Sequence, residues 1–127
     1  MLDQSALGST VVGVSPSSAP FLTFLFTDIE GSTRLWEEHA EVMGPALAAH
    51  DRLLRTAVES VGGSVVKMTG DGMLATFEDP AAALGAAIAG QRALGAALPA
   101  ASGVLRVRMA LHAGPAEVRD GDRKSVV

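Results

Sequence analysis

Nine residues, Phe21 to Ile29 (FLTFLFTDI), constrain the fold more than any other part of this 127-residue chain. Apart from Thr23, Thr27 and Asp28 the run is apolar on both alternating faces, which predicts a central strand covered on both sides. It runs directly into a second acid at Glu30, then Gly31 and the hydroxyls of Ser32 and Thr33. A strand that ends in a carboxylate and a glycine turn places charge at a sheet edge, which burial alone does not require.

The rest of the chain supplies partners for that strand. After Gly31, the residues Leu35, Trp36, Val42 and Met43, joined by His39, fall on one helical stripe, which Gly44 and Pro45 are expected to interrupt. A second helix is predicted from Pro45, with Leu47, Leu53, Leu54, Ala57, Val58 and Val61 on one face and Gly62 and Gly63 as its stop. Ser64 to Thr69 and Met73 to Phe77 then read as a hairpin around Gly70, Asp71 and Gly72. Asp79 is placed to cap a glycine-rich helix with Pro80 in its first turn and Leu84, Ile88, Leu94 and Leu98 on or near one stripe. Finally Leu105, Val107, Met109 and Leu111 alternate with Arg106, Arg108, Ala110 and His112, a strand wet on one face. The order βααββαβ predicts an α+β, ferredoxin-like sheet with helices packed on it.

In that topology the second hairpin strand lies antiparallel to the first strand, so Asp71 lands beside Asp28. Two converging carboxylates repel unless positive charge lies between them. Magnesium or manganese fits, because hard cations prefer carboxylate oxygen and leave room for phosphate oxygens. The Glu30 to Thr33 turn, entering a helix, offers amides and hydroxyls to a polyphosphate.

Composition narrows the alternatives. A chain this long holds one modest core, so a single domain over 21–127 is expected, after a disordered lead-in over 1–20 that lacks the basic head and apolar run of a signal peptide. With 14 acids against 10 bases, a net charge of -4 argues against nucleic acid as the partner. The absence of cysteine excludes thiolate metal sites and suits the cytoplasm. Gln91 and Arg92 interrupt the alanine-rich stretch from Ala81 to Ala101, so no membrane span is expected there.

Three segments, FLFTDIEGSTRLWEEH, GGSVVKMTGDGMLATF and LRVRMALHAG, resemble in order and spacing the catalytic domain of class III adenylate and guanylate cyclases, especially the bacterial type. The resemblance runs from about Phe21 to Asp122. It implies that Asp28 and Asp71, with the Ile29 carbonyl, hold two divalent cations, and that Ile29, Glu30, Gly31, Ser32 and Thr33 cradle the triphosphate. Lys67 stands where the family places its base-selecting residue, a lysine in adenylate cyclases, which implies ATP as substrate and 3',5'-cyclic AMP as product. Asp122 matches the lysine's acidic partner in purine recognition, and a turn-forming Asp-Gly-Asp accounts for it equally well.

The resemblance also marks a departure. Family members go on to a helix bearing an asparagine and an arginine that act across a dimer interface, whereas this sequence contains no asparagine and reads as a domain incomplete at its C-terminus. Weak turnover alone, and a homodimer or a heterodimer with a complete cyclase domain, are therefore expected. Arg106 and Arg108 read as the wet face of the last strand, and Arg119 and Arg123 as surface charges. His112 reads as structural, His39 and His50 as partly buried on their helical stripes, and Trp36 as a core or interface residue.

Overall fold

A computed structural model describes residues 20–97, 105–119 and 122–125, with side chains through Ala116; the lead-in expected over 1–20 lies, but for Pro20, outside the described residues. The elements run β1 (Phe21–Ile29), α1 (Ser32–Glu38), α2 (Ala40–Glu59), β2 (Ser64–Met68), β3 (Gly72–Phe77), α3 (Pro80–Ala97), β4 (Val107–Arg119) and β5 (Asp122–Ser125). The strand order is β2-β3-β1-β4-β5. The apolar run β1 is indeed central, antiparallel to β3 on one side and to β4 on the other.

Alternation along β1 divides its side chains between two unlike faces. Leu25 turns toward α2 and α3, where it joins Leu54, Val58, Met73, Ala75, Phe77 and Leu94 in the main core. Ile29, Leu35 and Met43 form a smaller cluster under α1 and the start of α2. The opposite face is covered only toward the other end of β1, by Leu22, Phe24, Leu74 and Ala116. Phe26 on that face is 40% exposed. The expectation of a strand covered on both sides is thus corrected: the helices cover one face and leave the other open toward the Asp28 end.

The helices differ from their sequence reading in two ways. The break falls at His39 (φ -137, ψ 39) and not at Gly44 and Pro45, which lie inside α2. Turning at His39 brings Leu35 of α1 and Met43 of α2 into one apolar cluster with Ile29, and that burial outweighs the carbonyl of Glu41 that Pro45 leaves without an i+4 amide. At the far end Gly62 adopts a positive φ of 84 and Gly63 donates to the Val58 carbonyl at 3.0 Å, the expected stop.

In α3 the Asp79 carboxylate accepts from the Ala81 amide at 3.0 Å, as expected of a cap. The buried face is made instead by Ala83, Ala86, Gly90 and Leu94. Leu84 and Ile88 are 52% and 46% exposed, and Leu98 lies outside the described residues. Small residues win that face because α3 packs close to α2: a Cβ at Gly90 would lie 3.0 Å from Leu54 Cδ2. The last strand is also longer than the alternation suggests, continuing through Gly114 and Pro115 to a short ribbon with β5.

Candidate active site

The two acids converge where β1 and β3 end together. Asp28 pairs in register with Gly72, and the Ile29 amide donates to the Asp71 carbonyl at 2.8 Å. A Cβ at Gly72 would stand 2.6 Å from the Thr27 carbonyl oxygen, so only glycine allows this approach. Both aspartates line one cavity of about 330 Å³. Lys67 and Thr69 line it too.

Lys67 reaches this cavity through an irregularity in β2. Val65 pairs with Ala75, Lys67 with Leu74 and Met68 with Met73, so two residues of β2 pass while β3 advances by one. The bulge at Val66 lets Val65 and Met68 both pack on the helix-side core while Lys67 turns to the open face. Simple alternation would have put Val65 and Lys67 on the same side.

The turn after β1 is built for a close approach. Gly31 adopts φ 64 and ψ 34, the left-handed region, and its carbonyl accepts the Leu35 amide at 3.1 Å to open α1. Ser32 Oγ donates to Asp71 Oδ2 at 3.1 Å and thereby joins the turn to the hairpin. Of the five residues expected to cradle phosphates, two have their amides engaged: Ile29 with Asp71, and Glu30 with the Arg106 carbonyl at 2.8 Å. The amides left at the helix entrance belong to Gly31, Ser32 and Thr33.

Arg108 stands out among residues the sequence reading set aside. On β4 it faces Asp28 in register, and its Nε and Nη2 donate to the two carboxylate oxygens at 2.9 and 2.8 Å. These hydrogen bonds hold the Asp28 carboxyl below the usual carboxylate range, against a smaller upward push from desolvation; the same bonds push the Arg108 guanidinium up, helped by the charge of Glu30. Its place on the wet face of the last strand holds, with the side chain 63% exposed, but the ion pair with Asp28 was not foreseen. The pairing signal was present in the alternation, since Arg108 and Asp28 both fall on the face away from the apolar stripe, but the register that joins them was not. Arg108, Asp28, Phe26 and Ala110 line a second cavity of about 290 Å³, which meets the first at Asp28.

Other candidate residues fall elsewhere. Asp122 opens β5, its backbone paired with Arg119, and its side chain lies outside the described residues. His112 is half-buried against the Phe24 ring at 6.3 Å, and His50, expected to be partly buried, is fully buried with Nδ1 2.8 Å from Asp51 Oδ1. Trp36 is 42% exposed, which removes it from the core.

The donor set around the cavity, two carboxylates and the hydroxyls of Ser32 and Thr69, is all oxygen and fits a hard divalent cation. Among the described residues no group of three or more acids or histidines gathers at one point. Magnesium characteristically needs only one or two carboxylates when water and phosphate oxygens complete its shell.

No family model matches the chain. A receptor-type adenylate cyclase of Trypanosoma brucei brucei is 40% identical over 78 residues, 61% of this chain and 6% of that protein. An adenylate/guanylate cyclase/hydrolase from Silicibacter pomeroyi superposes with a TM-score of 0.67 at 30% identity, over 83% of this chain and 62% of that one. In fold and in sequence the chain is similar to class III nucleotide cyclase catalytic domains. Adenylate cyclases of Trypanosoma brucei in their monomeric state agree, with a TM-score of 0.67 and 26% identity over 87% of this chain and 67% of theirs. The cyclase-like chain thus spans about two thirds of the solved domains and a small fraction of the curated relatives. Among its described residues no helix is long and apolar enough to cross a membrane.

Proposed function

We propose that this cyclase domain supplies the metal- and base-binding half of an adenylate cyclase site, which converts ATP to 3',5'-cyclic AMP and pyrophosphate. The observation that carries the reading is the joining of Asp28, Asp71 and Lys67 in one cavity at the ends of three adjacent strands. Asp28 and Asp71, with the Ile29 carbonyl, would hold two divalent cations, magnesium or manganese. When bound, such ions acidify a ribose 3'-hydroxyl and offset the charge of departing pyrophosphate.

The chain's own groups do the rest. The free amides of Gly31 to Thr33 and the Thr33 hydroxyl would bind phosphate oxygens, and the left-handed Gly31 keeps side-chain bulk out of their way. Lys67, a donor-only side chain, would recognise acceptors on the adenine; Asp122, whose backbone pairs with Arg119 on the opposite edge of the sheet, does not lie beside it in this chain. Ser32 would keep the Asp71 carboxylate turned toward the cavity through its hydroxyl. Groups that orient the ribose through an asparagine must come from outside these 127 residues, because none occurs here. We therefore infer that the chain pairs with a complete cyclase domain that supplies them; a second copy of these 127 residues would not. A cytoplasmic location fits a substrate that is a cellular nucleotide.

Mixing supplies the test. The protein is incubated with manganese and ATP, alone and together with a cyclase domain whose own metal-binding acids have been neutralised. Cyclic AMP should form in the mixture and be lost with Asp28→Asn or Asp71→Asn; no product despite proven heterodimerisation would refute the enzyme reading. It would leave a nucleotide-binding cyclase-homology module without turnover. GTP in place of ATP in the same mixture tests the role given to Lys67.

A further inference from the structure

The two aspartates are held by opposite kinds of partner. Asp71 accepts hydroxyl bonds from Ser32 at 3.1 Å and Thr69 at 3.4 Å, groups that carry no charge. Asp28 is gripped by the fork of Arg108, a full positive charge bonded to both oxygens. A guanidinium in that position occupies the lone pairs that a divalent cation would need and repels the cation as well. Yet the pair is half in solvent, with Arg108 63% and Asp28 50% exposed, so water can readily take over the guanidinium's bonds.

We propose that Arg108 is a resident counter-cation of Asp28, and that divalent metal enters the acid pair by exchange with it. The inference rests on the reading of Asp28 and Asp71 as metal-binding residues and adds to it a built-in threshold. Without metal, Arg108 relieves the charge that Asp28, Glu30 and Asp71 concentrate at one sheet edge. Metal binding must break the fork and swing the guanidinium away toward the solvent that its 63% exposed side chain already meets. The ion pair also spans β1 and β4 in register, so its loss frees a side-chain link between two central strands.

Manganese binding to the full chain, followed by calorimetry, separates the possibilities, with Arg108→Gln and Arg108→Lys beside the wild type. Removing the charge in Arg108→Gln should tighten manganese binding roughly five- to tenfold, and Arg108→Lys, which keeps the charge but loses the fork, should fall between. The magnesium-induced rise in unfolding temperature should likewise be larger for Arg108→Gln than for wild type. In the wild type, magnesium should shift the Arg108 Nε–H resonance as the fork opens. Equal metal affinity in all three folded proteins, or an Arg108 resonance indifferent to magnesium, would overturn the exchange while leaving the metal site standing. Absence of binding in every variant, including those without the competing charge, would overturn the metal reading itself and this inference with it.

Discussion

The two faces of the sheet are made from the same strands and serve different ends. On the helix side, Leu25, Ala75, Phe77 and Met73 meet Leu54, Val58 and Leu94, and every partner is apolar and fixed. On the open side the same strands carry Asp28, Lys67 and Arg108 around open cavities, with only Leu22, Phe24, Leu74 and Ala116 packed toward the other end of β1. One face stores the stability that lets the other keep charges close together, which a sheet with two wet faces could not hold.

Substitutions of decreasing consequence sharpen that contrast. Leu54→Ala, on the covered side, should cost about 2 to 5 kcal/mol in denaturant unfolding, because a fully buried side chain leaves a cavity between α2 and the sheet. A loss under 1 kcal/mol would mean that the helix side is not the stabilising one. Gly72→Ala should cost roughly 1 to 3 kcal/mol, since its Cβ would push on the Thr27 carbonyl, backbone that cannot swing aside. It should weaken manganese binding in the same measure as it spreads β1 from β3.

A pH titration probes the open face. Arg108 lowers the folded-state midpoint of Asp28, so the pair's contribution to stability is complete above the ordinary carboxylate range and disappears as pH falls through the lowered midpoint. In Arg108→Gln the Asp28 carboxyl resonance should titrate at higher pH, back toward the usual range, while an unchanged midpoint would show that the fork does not persist in solution. The smallest effect is expected at Ile88→Ser on the outer side of α3, within about 0.5 kcal/mol of wild type. A large loss there would reveal a surface covered in solution.

The site was legible to unequal degrees. Asp28 and Asp71 could be paired in advance because a hairpin strand set beside β1 leaves its turn no other place, and the register of Asp28 with Gly72 bears this out. Lys67 could be named by likeness alone, since only the bulge at Val66 turns it to the cavity. Arg108 was missed because its importance lies in a partner 80 positions away in the chain. The helix break was misplaced because glycine and proline are strong local signals, whereas the pull of Leu35 and Met43 toward Ile29 is a packing effect.

Period and punctuation were enough to specify strands β1 to β3, the cap of α3 and the order of the elements as far as β4, because these depend on neighbours within a few residues. Which face stayed open, which way Lys67 turned and what neutralised Asp28 were decided only on assembly. Those outcomes depend on strand register and on how closely α3 can approach α2, distances that no local pattern encodes.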